Sequence, residues 1–160
     1  MKKILKLFDD IEEKVLVFSF AISVIIIFVQ VVMRKGFNNS LFWSEEIARY
    51  LFIWQCWLGV SIAEREKQHI RITVLNRKLP MKGKVILELF VNLVLIVLSV
   101  TLIIYGFMMV SKIAGLGSTS TAVKIPMAII YAALPVGCTL YLRRLIENVI
   151  RVIKTGEVHE

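Results

Sequence analysis

Four apolar blocks, residues 15–33, 47–63, 85–110 and 125–142, each come near the length needed to cross a lipid bilayer. A span takes about 20 residues, within a range of about 17–25, because a helix rises about 1.5 Å per residue through about 30 Å of hydrocarbon. Lipid offers no hydrogen bonds to a bare backbone, so blocks of this length must be helices. Composition agrees, since 58% of the residues are hydrophobic, too many for an ordinary water-soluble domain. The fold class expected is an all-α membrane protein with four transmembrane helices, built as one integral membrane domain over residues 1–160.

The first block follows Asp9, Asp10, Glu12 and Glu13, and no small-residue cleavage site follows it. A cleavable leader has a basic start and a shorter apolar core, so this block reads as a retained helix. Cys56 and Cys138 fall inside expected spans with no C-x-x-C spacing. They read as small buried residues without a disulfide, redox or zinc role.

The net charge of +8 could suggest nucleic acid, but the distribution gives another meaning. Fifteen of the 20 Lys and Arg residues lie in 1–14, 64–84 and 143–160. Loops 34–46 and 111–124 carry two each, and Arg49 stands inside the second span. The positive-inside rule then places both termini and the central loop in the cytoplasm. No nucleic-acid partner is expected.

Two segments have the pattern of helices lying in the membrane interface, and the last span continues past its end as an amphipathic helix. Ile4, Leu7, Phe8, Ile11 and Val15 make one apolar face over residues 3–14. Ile72, Leu75 and Leu79 do so beside Arg71, Arg77 and Lys78, ahead of Pro80. Beyond Arg143 and Arg144, the pattern continues through Ile146, Val149, Ile150 and Ile153. Such basic amphipathic segments hold phospholipid headgroups.

Polar and small residues form stripes within the spans: Ser19, Ser23 and Gln30 in the first, and Glu88, Asn92, Ser99 and Gly106 in the third. In the second, Glu45, Ala48, Arg49, Gln55, Cys56, Gly59 and Ala63 are assigned to one face, opposite Tyr50, Trp54, Trp57 and Leu58. Serines and glycines of this kind are expected to serve packing between helices of the chain. Trp54 and Trp57 sit within the span rather than at its edge, where an aromatic belt would hold them. They are candidates for contact with a partner's helix, with lipid contact as the plain alternative.

Charge gathers where the second span begins, at Phe42-Trp43-Ser44-Glu45-Glu46-Ile47-Ala48-Arg49. Ser44 is expected to cap the helix, with acids near its positive dipole end. Arg49 stands four residues after Glu45 and three after Glu46, so either acid can pair with it. A local ion pair explains these residues, and so does a contact site for a partner. Glu88 has Lys84 four residues before it, and His69 lies in a charged loop with Arg71. The run Gly115-Leu116-Gly117-Ser118-Thr119-Ser120-Thr121 is expected to be a flexible turn, and Pro135 with Gly137 to kink or break the last span.

The only acidic or basic side chains inside the expected spans are Arg49 and Glu88, both near an end. Transporters that work alone bind substrate near the midplane, at intramembrane charges and broken helices. There is no Walker motif, metal cluster or catalytic dyad, so neither an enzyme nor a cofactor site is expected. An accessory role follows. The rival reading is a self-sufficient oligomeric four-helix exporter or channel, with Glu88 as its protonatable carboxylate.

Trp43-x-Glu45-Glu46-x-x-Arg49, then Gly59, His69, Pro80, Ile125-Pro126 and Pro135-x-Gly137, in that order over nearly the whole chain, resemble the small membrane (Q-type) subunit of tripartite ATP-independent periplasmic (TRAP) transporters. The resemblance implies a non-catalytic scaffold subunit in the bacterial inner membrane. It implies a large M-type partner subunit, working as an elevator, that carries the sodium and substrate sites. A periplasmic substrate-binding protein would deliver an organic acid of sialic acid or C4-dicarboxylate type. Trp43, Glu45, Glu46, Arg49, Trp54, Trp57 and Gly59 are then partner-interface candidates. His69, Arg71 and Glu88 are candidates on the cytoplasmic side.

Overall fold

The computed structural model describes residues 2–37, 41–65 and 81–155. The central interfacial segment with Ile72, Leu75, Leu79 and Pro80, and the candidates His69 and Arg71, lie outside the described residues. Among the described residues are five helices: α1 (Lys2–Gly36), α2 (Phe42–Arg65), α3 (Met81–Gly115), α4 (Met127–Tyr131) and α5 (Ala133–Thr155). Among the described residues there is no strand, only an isolated bridge between Thr119 and Pro126.

Helix α1 has 35 residues, about 52 Å of helix, and runs unbroken through residues 3–14 into the first span. No Gly or Pro interrupts it before Gly36. The amphipathic segment is therefore not a separate element but the first turns of α1. Arg34 and Lys35 lie in its last turn, where cations complement the helix dipole. Pro135 splits the last span as expected. Lacking an N–H, it cannot bond the carbonyl of Tyr131, and the helix is interrupted at Ala132. Hydrogen bonds from Ala132 N–H to Ala128 O (3.0 Å) and from Val136 N–H to Ala132 O (3.1 Å) carry the chain across the break.

Among the described residues, three stretches are long and apolar enough to cross a membrane: Asp9–Gly36, Gly83–Gly115 and Met127–Lys154. Helix α2 is not among them, although its 24 residues give about 36 Å. It carries Ser44, Glu46, Gln55, Ser61 and Glu64, all buried inside the chain. Helix α2 is thus an inner helix, and these five polar side chains turn toward the rest of the chain.

The helices lie in the order α1, α2, α5, α3, each packed on the next, while α3 makes no comparable interface with α1 or α2. This is an open layer rather than a closed bundle. The outer helices α1 and α3 leave Phe18, Phe28, Phe90, Leu93 and many other apolar side chains exposed. Their buried seams are narrow. On α1, Asp9, Glu12, Leu16, Ser19, Ile22, Ser23, Ile26, Gln30 and Met33 are the less exposed residues, a spacing mostly of three and four that marks one face. On α3 the buried residues Asn92, Ser99 and Gly106 follow the stripe read from the sequence.

Helix α2 departs from its reading. Gln55 is buried, donating from Nε2 to Ser23 Oγ at 2.8 Å in the α1–α2 seam. Glu45, Arg49 and Cys56 instead share an exposed stripe with Phe42, Phe52 and Val60. Each residue turns about 100° on a helix, so Gln55 stands about 100° from Cys56 and cannot share its face. Cys56 is therefore exposed, whereas Cys138 is buried, and both are free thiols.

Two glycines let α5 sit close to both neighbours. A Cβ at Gly137 would lie 2.6 Å from Trp57 Cβ and 3.0 Å from the Trp57 carbonyl oxygen. One at Gly106 would lie 2.7 Å from Leu134 Cδ2. Small residues at such crossings are how helices approach closely where lipid supplies no hydrophobic drive.

Candidate functional site

Polar groups concentrate at the two ends of the layer. At the first end, α2 starts at Phe42, three residues earlier than a helix capped by Ser44 would. Ser44 is therefore inside the first turn rather than at the cap, and its Oγ donates to Leu41 O at 2.7 Å. Glu45 and Arg49 form an i,i+4 pair, Nη2 to Oε1 at 3.3 Å, with side chains 64% and 63% exposed. An exposed pair of this kind contributes about 0.3–0.5 kcal/mol.

Glu46 goes the other way. It is 8% exposed, and its carboxylate is inserted into the loop between α3 and α4. Oε1 accepts from the Tyr50 hydroxyl at 2.5 Å and from Thr121 N–H at 3.1 Å. Oε2 accepts from Ala122 N–H at 2.8 Å and Val123 N–H at 2.9 Å. Tyr50 chiefly, then the amides of Val123 and Ala122, hold this carboxyl down at about 2, while burial pushes it the other way. The loop is also closed on itself. Ser120 N–H donates to Ile125 O (2.9 Å), Ile125 N–H to Ser120 Oγ (3.2 Å) and Met127 N–H to Ser118 O (2.9 Å). Lys124 takes a left-handed φ of 60° to complete it. The run expected to be a turn leads into a hydrogen-bonded loop latched by Glu46.

Below this latch a cleft of about 570 Å³ opens between α2, α3 and the α4–α5 helix. Trp57 lines it and also packs against Gly137, so its contact is at least partly within the chain. Trp54 is half-buried, and Trp43 is 47% exposed. A Cβ on Gly59 would meet nothing within 4 Å, so no contact inside the chain demands a glycine there.

At the opposite end, Arg144 of α5 is 5% exposed. Its guanidinium bonds Glu12 and, at 3.2 Å, Asp9 Oδ1. Arg143 reaches the same Asp9 oxygen at 2.8 Å and lies 3.6 Å from Glu147. Asn148 donates to Glu88 Oε1 at 3.4 Å, while Asn92 donates to the Glu88 carbonyl at 2.9 Å. Glu64 of α2 lines a cavity of about 60 Å³ with Asp9, Arg143, Arg144 and Asn148. Helices α1, α2, α3 and α5 all send side chains into this clasp. Among the described residues no three His, Cys, Asp or Glu side chains gather as a metal site requires.

Reading the sequence found Glu46 and Glu88 but not the Tyr50 and loop partners of Glu46 or the Asn148 contact of Glu88, and it missed the clasp of Asp9, Glu12, Arg144 and Asn148. A signal was present. Asp9 and Glu12 continue the Ser19, Ser23 and Gln30 seam backward at the same spacing, so the acids share the face that packs.

Residues 23–155 match the family described as "Tripartite ATP-independent periplasmic transporters, DctQ component". Among similar proteins is a putative TRAP transporter small permease protein of Haemophilus influenzae, 43% identical over 77 residues, 48% of each chain. The sialic acid TRAP transporter small permease protein SiaQ of Vibrio cholerae is 28% identical over 159 residues, 96% of this chain and 88% of that one. The sialic acid TRAP transporter permease protein SiaT of Haemophilus influenzae is 32% identical over 136 residues, 82% of this chain but 21% of that longer protein. Coverage of these relatives thus runs from about a fifth to nearly nine-tenths of their length.

Proposed function

This chain belongs to the DctQ-component family of TRAP transporters, and from that membership we propose that it is a non-catalytic scaffold subunit of a sodium-coupled importer. The observation that carries the role is the open layer. Helices α1 and α3 are long and apolar, and among the described residues most of their surface meets no other part of the chain. Such faces call for lipid or for another protein's helices. The partner proposed is a large membrane subunit that holds the sodium and substrate sites. A periplasmic binding protein supplies the substrate, an organic acid of the sialic acid class, with a C4-dicarboxylate as the runner-up. The relative named for sialic acid over nearly its whole length supports that order.

The chain spans the bacterial inner membrane four times, α2 crossing as a lined inner helix, with both termini in the cytoplasm. The concentration of Lys and Arg in 1–14, 64–84 and 143–160 supports this orientation. The Glu46 latch then faces the periplasm and the Arg144 clasp the cytoplasm. Co-expression with the large subunit tests the assignment. The two should co-purify, and the chain alone should be poorly stable in detergent. A stable, monodisperse chain that ignores the large subunit would sink it.

The exporter or channel reading loses its main residue. Glu88 receives Asn148 and sits with the α5 clasp rather than at mid-span. Glu88→Gln should leave uptake by the complex intact; abolished uptake would revive that reading.

A further inference from the structure

The cleft under the Glu46 latch has a chemistry of its own. It exists because α5 stands between α2 and α3, which make no interface of consequence with each other. Its volume, about 570 Å³, falls in the range of about 300–1,000 Å³ typical of sites that enclose a small molecule. The walls are apolar: Ile53 and Trp57 from α2, Met109 from α3, Ile130 from α4 and Leu134 from α5. The polar lining gathers at one end, where Arg49, Thr119 and Thr121 meet the latch. From Glu46 to Trp57, α2 rises about 16 Å. A polar mouth followed by an apolar slot of that depth matches a headgroup followed by an acyl chain. A water-soluble ligand would need polar partners along the depth as well.

Charge at the mouth narrows the headgroup. Arg49 and Glu45 stand side by side, both about two-thirds exposed. A guanidinium carries five N–H donors, and one contact at 3.3 Å to Glu45 leaves most of them available. Glu46 is already engaged by Tyr50 and three backbone amides. Arg49 lines the mouth and Glu45 stands beside it, just outside the lining, so a cation sits next to an anion there. An anionic headgroup would satisfy Arg49 but draw it away from Glu45, whereas a headgroup carrying both charges satisfies both side chains.

We propose that this cleft binds one zwitterionic phospholipid, its phosphate on Arg49, its ammonium on Glu45 and one acyl chain between Ile53, Trp57, Met109 and Leu134. The lipid covers flanks of α2 and α3 that no helix of the chain covers. It also extends the layer under the latched loop. The proposal needs only that the chain is embedded in a membrane, so its failure would leave the scaffold assignment standing.

The test uses the complex with the large subunit, stripped in detergent and incubated with phosphatidylethanolamine or phosphatidylglycerol, with retained lipid counted by native mass spectrometry. One phosphatidylethanolamine per copy of the chain is expected, with phosphatidylglycerol retained at least about fivefold less. Ile53→Trp and Met109→Trp fill the slot from two different walls, and each should cut retention by about fivefold or more. Arg49→Ala, at an exposed position, should erase the preference between the two lipids. If one tryptophan variant fails to fold, the other carries the result. Equal retention of both lipids, retention unchanged in the folded tryptophan variants, or a complex that holds no lipid because the large subunit fills the cleft would each overturn the proposal.

Discussion

The two ends of the layer are held by opposite means. At the α2 start, one carboxylate, Glu46, is held by backbone amides and a tyrosine, and what it fixes is a loop. At the α5 end, arginines meet acids carried on another helix, and what they fix is the position of α1 against α5. The first end orders a short segment without spending helix surface. The second ties the outermost helix to one that is not its packing neighbour along the layer. Loss of the first should loosen a loop; loss of the second should loosen the fold.

The largest effect is expected at the α5 end. Arg144→Ala takes the buried guanidinium from Glu12 and removes one of the two arginines that meet Asp9, and breaking such a pair costs about 3–5 kcal/mol. Thermal melting of the detergent-solubilised complex should show a large fall or no folded protein. A melt unchanged from the parent would mean the clasp is decorative.

Between the two ends lies the tightest crossing. Gly137→Ala drives a methyl against the Cβ and backbone of Trp57, which cannot swing away. Overpacking of this kind costs about 1–3 kcal/mol, and the same melt would read it. A neutral result would show that α5 can shift along α2.

At the α2 end the effect should be local. Glu46→Gln replaces an acceptor-only carboxylate with an amide that turns an NH₂ toward backbone donors. Hydrogen exchange at Thr121, Ala122 and Val123 should quicken by about tenfold or more while the amides of α5 keep their protection. The pH dependence follows from the carboxyl standing at about 2 in the fold against an ordinary 4.5. A carboxyl lowered in the folded state adds stability above its ordinary value and loses it as pH falls toward the lowered one. The difference between parent and Glu46→Gln should thus be constant above about pH 4.5 and shrink between there and about pH 2. A difference that ignored pH across this window would contradict the latch.

The smallest effect on the chain itself belongs to Arg49→Ala, below about 1 kcal/mol because the pair with Glu45 is exposed. Ser44→Ala should also be mild, since its bond is to the nearby Leu41 carbonyl. If Arg49→Ala nevertheless weakens assembly or uptake, the missing contact lies outside this chain. Normal assembly and uptake would return Glu45 and Arg49 to a local ion pair.

The helices were legible because apolar length and the absence of Gly and Pro decide them, as α1 shows. The stripes on α1 and α3 were legible because helical spacing alone puts Ser19 with Ser23, and Asn92 with Ser99, on one face. The two acids at Glu45 and Glu46 were not separable, since one residue's difference turns a side chain by about 100° and only the distant loop at 121–123 decides which is buried. The clasp was hidden for a related reason. Asp9 and Arg144 are 135 residues apart, and each had a sufficient local explanation, as a feature unlike a leader or as a topology signal. Long-range pairing is not written in spacing.

The central claim is that this layer is a scaffold and not a transport path. Proteoliposomes holding the large subunit, with and without this chain, supplied with the binding protein, the acid and an inward sodium gradient, test it most directly. Uptake should require both membrane chains, and this chain alone should move nothing. Uptake by this chain alone, or full uptake by the large subunit without it, would contradict the account.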